Sequence, residues 1–137
     1  MFSEPVVEES VIELCCGMRP FNKVNAVVCR LNSDFSMFVL DSAGTWTHDE
    51  LLARLPNDEP RYVIYELAFT PAAGKKERSL VIQISWVPRG VELMPMLLSI
   101  SGTLRSRLSS YVGVSDEVKA IERNQLQYDA LVARYRN

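Results

Sequence analysis

The chain has 137 residues, 47% of them hydrophobic and 23% charged, a balance typical of a folded globular protein rather than a disordered one. This length predicts one domain, residues 1–137, with a substantial core. The formal net charge of −2 provides no general attraction for nucleic acid or an anionic membrane. No apolar run approaches the ~18 residues that a membrane-spanning helix needs, and the acidic N-terminus is unlike a signal peptide. We therefore expect a cytoplasmic monomer.

The cysteines and the single histidine argue against a metal site. Cys15, Cys16 and Cys29 are an odd number of thiols, which does not suggest a set of disulfides. The simplest interpretation is that they are buried or half-buried thiols. A structural zinc site usually needs about four ligands, and the chain has no Cys-x-x-Cys pair. We predict neither a metal nor a cofactor.

Hydrophobic periodicity and turn residues predict alternating helices and strands. In chain order they are a helix over 8–16, strands over 25–31 and 35–41, a helix over 48–55, strands over 61–70 and 80–87, a long helix over 92–111, a short edge strand over 118–121 and a helix over 125–137. This order predicts an α/β fold, a three-layer sandwich with a central mixed β-sheet and helices on both faces. The near-continuous apolar run of 80–87 predicts a central strand covered on both faces.

Two further details concern the shorter helices. Thr47 and Glu50 have the spacing of a capping box at the start of the 48–55 helix. In the last helix, the candidate inward residues are Leu126, Leu131 and Tyr135.

His48 allows two interpretations. It could be a catalytic base, or it could be a solvated residue in the first turn of a helix. No plausible nucleophile lies near it in the sequence, and the chain has no glycine-rich phosphate loop. These observations favour the second interpretation and a protein that is not an enzyme.

The long helix contains many poor helix formers in the stretch MPMLLSISGTLRSRL, residues 94–108. Residues three and four apart share a face of a helix. The predicted core stripe is Leu93, Leu97, Ile100, Leu104, Leu108 and Tyr111. The opposite side, which we call the docking face, is Glu92, Pro95, Ser99, Gly102 and Ser106, bordered by Met94, Met96 and Leu98.

Gly102 is the informative residue of the docking face. A glycine inside a helix costs about 1 kcal/mol relative to alanine, and close packing in the core does not explain one on the outer side. Small side chains allow another backbone to approach, and methionines suit a protein-binding rim. The alternative is a partly exposed helix with neutral small residues and no partner.

The region KKERSLVIQISWVPRGVELMPMLLSISGTLRSRL resembles the actin-depolymerising factor homology domain. In that family a hydrophobic strand ends in aromatic-x-Pro, here Trp86 to Pro88, and a long helix follows. Within the superfamily, the hairpin, the helix DEL…LP and the strand beginning PRYVIY are similar to those of glia maturation factors. The likeness covers nearly the whole chain in order.

The resemblance implies a protein that binds actin-family proteins at the actin cytoskeleton and has no enzymatic activity. Glia maturation factors bind the actin-related protein 2/3 complex, inhibit nucleation and promote debranching, with actin itself a second possible partner. The contact positions that the resemblance implies, together with the rim, are Glu92, Met94, Pro95, Met96, Ser99, Gly102, Thr103 and Ser106. Flanking contacts are Ser3, Asp116 and Glu117. A second surface comprises Lys75, Lys76, Arg78, Arg134 and Arg136.

Two alternatives stay open at this point. Cofilins, which sever and depolymerise filaments, place lysines near the start of this helix and Ser-Lys-Asp in its middle. The chain has Glu92, Met94 and Ile100-Ser101-Gly102 there, which favours the branch complex over severing. The charges of the second surface also suit a solvated loop and a helix end whose dipole they complement.

Overall fold

A computed structural model describes residues 4–19 and 21–136. The strands are β1 (Val6–Val7), β2 (Ala26–Leu31), β3 (Met37–Gly44), β4 (Arg61–Phe69), β5 (Arg78–Trp86) and β6 (Asp116–Ala120). The helices are α1 (Glu9–Cys16), α2 (His48–Ala53), α3 (Met94–Ser99), α4 (Ser101–Leu108) and α5 (Tyr128–Ala133), with a 3₁₀ turn at Arg123–Leu126.

All six strands form one mixed sheet in the order β1-β3-β2-β4-β5-β6. The two outer pairs, β1 with β3 and β5 with β6, are parallel, and the pairs between them are antiparallel. β6 is the predicted edge strand. The two-residue β1 was not predicted, because so short a segment has no periodicity to read.

A separate hydrophobic core lies on each face of the sheet. On one face α1, α3 and α4 pack through residues such as Val11, Leu97 and Leu104. On the other face α2, the 3₁₀ turn and α5 pack through residues such as Leu51 and Leu131. β5 contributes alternate side chains to both cores, as its apolar run predicted. The three-layer sandwich is confirmed.

Local signals for the smaller helices are also confirmed. The Glu50 amide donates to the Thr47 hydroxyl at 3.1 Å, and the Thr47 amide donates to the Glu50 carboxylate at 2.8 Å, which completes the capping box. The last helix divides into the 3₁₀ turn and α5. Leu126 and Leu131 are buried and Tyr135 packs partly buried against the same core.

The long helix predicted over 92–111 is interrupted at Ile100 and ends at Leu108. At the interruption, side-chain hydroxyls donate hydrogen bonds to backbone carbonyls. The Tyr62 hydroxyl donates to the Leu97 carbonyl at 2.6 Å, and the Ser101 hydroxyl donates to the Leu98 carbonyl at 2.8 Å. These bonds compete with the regular backbone ladder of the helix.

The predicted core stripe is wrong at two residues. Leu97, Leu104 and Leu108 are buried and Ile100 is half-buried, but Leu93 is 54% exposed and Tyr111 is 49% exposed. Leu93 precedes α3 with φ at 64°, so it leaves the helical spacing before the helix begins. Tyr111 lies in the turn beyond the end of α4, where the helical period no longer applies.

The cysteines divide into two buried thiols and an exposed one. Cys15 and Cys29 are buried, as predicted, whereas Cys16 at the end of α1 is exposed. Burial raises the pKa of the Cys15 thiol to about 12, and burial also raises the pKa of Cys29. Both buried thiols therefore stay protonated and unreactive near neutral pH.

We expect Leu104→Ala to lower the free energy of unfolding by ~2–5 kcal/mol, because it leaves a cavity beneath α4. Urea denaturation followed by circular dichroism measures the change. Ser106→Ala, on the exposed side of the same helix, is the matched control and should change stability by less than about 0.5 kcal/mol. Equal effects of the two substitutions would contradict the orientation of α4.

We also expect Cys16 alone to react quickly with a thiol reagent in the native protein at neutral pH, because only this thiol is exposed. Titration with Ellman's reagent, before and after unfolding in guanidinium, measures the reactive thiols. Cys16→Ser should abolish the fast reaction and leave the slow ones. Fast reaction in that variant would contradict the burial of Cys15 and Cys29.

Candidate partner-binding surface

The docking face is exposed along its whole length. Glu92, Pro95, Ser99, Gly102 and Ser106 are all exposed, although α3 and α4 are separate helices. The spacing of three and four residues holds across Ile100, because that residue keeps right-handed helical backbone angles. The interruption therefore does not divide the face, and its predicted orientation is correct.

The rim residues are less exposed than the face that they border. Met94, Met96 and Leu98 are half-buried and pack against the core under α3 and α4, and the neighbouring Thr103 is half-buried as well. The flexible methionine side chains reach from this core to the edge of the face. The docking face thus consists of small and polar residues beside a partly apolar border.

Gly102 has no structural reason to be glycine. A Cβ atom built there meets nothing within 4 Å, and the residue lies in α4 without a positive φ. A larger side chain would point into open space. The glycine therefore costs helix stability without relieving any contact within the described protein.

Residues 4 and 5 form a wall along this face. Glu4 and Pro5 line a cleft of about 230 Å³ together with Met96 and Ile100. Glu4 also lines an adjoining cleft of about 340 Å³, which includes Gly102 and Arg107. The docking face is therefore one side of a groove rather than an isolated ridge.

Arg107 is a residue that the sequence interpretation missed. It is exposed beside Ser106, so the edge of the docking face carries a cation. Its guanidinium donates to the carbonyl oxygens of Pro5 and Glu4, at 2.6 and 3.4 Å. These partners are more than a hundred residues away along the chain, so periodicity could not reveal them.

The three predicted flanking residues do not form one group. Ser3 lies outside the described residues. Glu117 accepts a hydrogen bond from the Ser85 hydroxyl at 3.0 Å. Asp116 instead accepts hydrogen bonds from Tyr135 at 2.9 Å and Arg134 at 3.2 Å, which places it beside the end of α5. The role of Asp116 as a flanking contact stays a prediction.

The Asp116 carboxylate is stabilised by these neighbours. Burial acts to raise its pKa, but hydrogen bonds from Tyr135, the Glu117 amide and Arg134 outweigh burial and hold the pKa below its usual value. Asp116 is therefore ionised at neutral pH. Its charge is paired with that of Arg134.

The second surface is only partly assembled. Lys75, Lys76 and Arg78 are exposed in and beside the β4–β5 loop. Arg136 joins them, because its Nε donates to the Thr70 carbonyl at the base of that loop at 3.1 Å. Arg134 is paired with Asp116 and so has less free charge to offer a partner.

His48 lies in the first turn of α2, as predicted, but it is not solvated. The side chain is half-buried, and its ring nitrogens lie 3.1 Å from the Tyr65 hydroxyl and 2.7 Å from the Leu126 carbonyl. Burial raises the pKa of Tyr65 to about 12, so its phenol stays neutral. His48 thus joins α2 to the 3₁₀ turn by hydrogen bonds.

Residues 4–19 and 21–136 contain no group of three or more His, Cys, Asp or Glu side chains placed to hold a metal ion. Within the same residues, no helix is long and apolar enough to cross a membrane. The features that remain for a partner are the docking face with its groove and the second surface.

Comparison with known proteins identifies the family. The cofilin from Yarrowia lipolytica is 22% identical over 131 residues, covering 93% of this chain and 84% of its own. Actophorin from Entamoeba histolytica is 25% identical over 115 residues, covering 82% and 81%. The crystal structure of Streptomyces griseoflavus cofilin superimposes with a TM-score of 0.79 at 19% identity, covering 94% and 95%, and so shares the fold. A family profile matches residues 8–136, so the chain belongs to the cofilin/tropomyosin-type actin-binding proteins.

Proposed function

We propose that this protein regulates the actin cytoskeleton by binding an actin-family subunit through the docking face, without enzymatic activity. One observation carries the proposal. The docking face is exposed over its full length, and Gly102 leaves open space there at a cost to helix stability. Membership of an actin-binding family indicates the class of partner.

The groove explains how a partner would bind. Ser99, Gly102 and Ser106 allow close approach of another backbone, since none has a large side chain. The half-buried Met94 and Met96 provide apolar contact at one border, and such adaptable side chains fit irregular surfaces. Close approach at the small residues, together with apolar contact at the border, would give the close packing that protein–protein interfaces show.

Actin itself is the first candidate for the subunit. The relatives named above are a cofilin and an actophorin, and the family is described by actin binding. The cations Lys75, Lys76, Arg78 and Arg136 would then contact a neighbouring filament subunit. That second contact would allow the protein to sever or depolymerise filaments in the cytoplasm.

The actin-related protein 2/3 complex is the second candidate, with inhibition of nucleation and debranching as the activity, as in glia maturation factors. The charge of the docking face favours it. Glu92 is exposed at the start of the face, and residues 92–104 contain no lysine or arginine. Arg107 places a cation only at the far edge of the face, so the rest of the face offers few charge-assisted contacts to actin alone.

Gly102→Glu tests the docking face. We expect it to weaken binding of the partner by about tenfold or more, because a charged side chain would occupy the space needed for close approach. The fold should stay intact, since the first turn of α4 tolerates an acidic residue well. Fluorescence anisotropy against actin and against the purified complex measures the affinity.

Gly102→Ala is the matched control for that substitution. It should raise the free energy of unfolding by about 0.5–1 kcal/mol and weaken binding much less than Gly102→Glu, since a methyl group occupies little of the open space. If Gly102→Glu is folded and binds both partners as well as the wild-type protein, the docking face is not the binding site.

Co-sedimentation separates the two candidate partners. If actin is the partner, the wild-type protein pellets with filaments, and Lys75→Ala/Lys76→Ala lowers that binding but not binding to monomeric actin, because only filaments offer a neighbouring subunit. If the branch complex is the partner, the wild-type protein binds the complex and pellets weakly with filaments. Strong filament binding without binding to the complex excludes the second candidate.

A further inference from the structure

We infer that Arg107 is a positioning residue that fixes the start of the N-terminal segment, residues 4–8, along the docking face. The partner would then meet a composite surface, made by α3 and α4 on one side and by the N-terminal segment on the other. The inference rests on the proposed function and adds a residue on which binding of the partner depends.

The geometry is that of a guanidinium fork on two successive carbonyls. Arg107 Nε donates to the Pro5 carbonyl at 2.6 Å, and Nη2 reaches the Glu4 carbonyl at 3.4 Å. The planar guanidinium presents its donors in a fixed arrangement, so two bonds define both the position and the direction of the bound segment. Lysine has a flexible point charge and cannot reproduce this arrangement.

The rest of the N-terminal segment is held differently. The Val6 amide donates to the Ser36 carbonyl at 3.0 Å, and the Glu8 amide donates to the Phe38 carbonyl at 2.9 Å. These bonds attach the segment to β3 from residue 6 onward. Within the described part of the chain, the hydrogen bonds to residues 4 and 5 come from Arg107.

Glu4 is exposed and Pro5 is buried, and both line the groove. Glu4 lines both clefts, and Pro5 lines the one that contains Met96 and Ile100. Arg107 lies in the wall of the other cleft, next to Ser106. The groove therefore has its second wall only while these two residues stay in place.

Arg107 affects binding because it orders residues 4 and 5 before the partner binds. A segment held by few contacts opens locally. A partner that had to order residues 4 and 5 itself would lose affinity in proportion to the entropy of ordering. With Arg107 in place, the entropy of ordering residues 4 and 5 is lost during folding and not on binding.

Arg105 is the matched comparison on the same helix. Its Nη2 donates to the Val114 carbonyl at 3.1 Å, so it makes an equivalent hydrogen bond to a loop carbonyl, away from the N-terminal segment. Loss of Arg105 removes the same charge and a similar bond. A difference between the two arginine variants therefore isolates the contact with residues 4 and 5.

The experiment uses the full chain with Arg107→Ala, Arg107→Lys and Arg105→Ala. Heteronuclear NOE values of the backbone amides of Glu4, Val6, Val7 and Glu8 report the order of the N-terminal segment in the free protein, since Pro5 has no N–H. Anisotropy with monomeric actin, and with the purified branch complex, reports affinity. Urea denaturation checks that each variant is folded.

We expect Arg107→Ala to lower the NOE values at the start of the segment and to weaken binding by about tenfold. Arg107→Lys should behave like the alanine variant in both measurements, and Arg105→Ala should change neither. The inference is overturned if Arg107→Ala leaves the segment ordered. It is also overturned if Arg107→Lys restores affinity while the segment stays mobile, because Arg107 would then act through its charge on the partner.

Failure of the proposed function would look different. In that case the wild-type protein binds neither actin nor the complex. The NOE comparison needs no partner, so it still decides whether Arg107 orders the segment. A wild-type protein that binds, together with an Arg107→Ala variant that binds equally well, rejects the positioning role and leaves the docking face as proposed.

Discussion

The hydrogen bond from the Tyr62 hydroxyl to the Leu97 carbonyl joins the docking helices to the sheet beneath them. The buried Gln83 side chain makes a second connection, since its amide donates to the Ser101 carbonyl at 2.8 Å. A rotation or a shift of α3 and α4 would break both bonds and leave buried polar groups unpaired, at about 1–3 kcal/mol each. Such a rotation would also expose the buried Leu97, Leu104 and Leu108, so the apolar stripe and these polar contacts together determine which residues face outward.

Much of this arrangement could be predicted from the sequence, because its causes are local. Thr47 and Glu50 are three residues apart and complete their capping box without help from the rest of the chain. The apolar run of β5 predicts a strand covered on both faces, whatever covers it. The exposed positions of the docking face follow from helical spacing, which survives the interruption because Ile100 stays right-handed.

The remainder depends on contacts between residues that are far apart in the chain. Tyr62 interrupts the long helix from 35 residues away, and His48 reaches the Leu126 carbonyl 78 residues away. The Arg107 guanidinium donates to the Pro5 carbonyl, 102 residues away in the chain. Leu93 fits the core spacing, yet the loop before α3 gives it a left-handed backbone and exposes it. Composition and periodicity contain no record of such pairs, so a single sequence predicts the layers better than the polar contacts between them.

The open space over Gly102 has a consequence for how this protein can change. Most natural proteins lie only a little above the stability they need, and replacing a helical glycine is among the easiest ways to gain more. A laboratory selection for heat resistance alone would therefore favour larger residues at this position, because nothing in the fold opposes them. If the open space at Gly102 serves a partner, the most heat-resistant variants from such a selection would bind that partner most weakly.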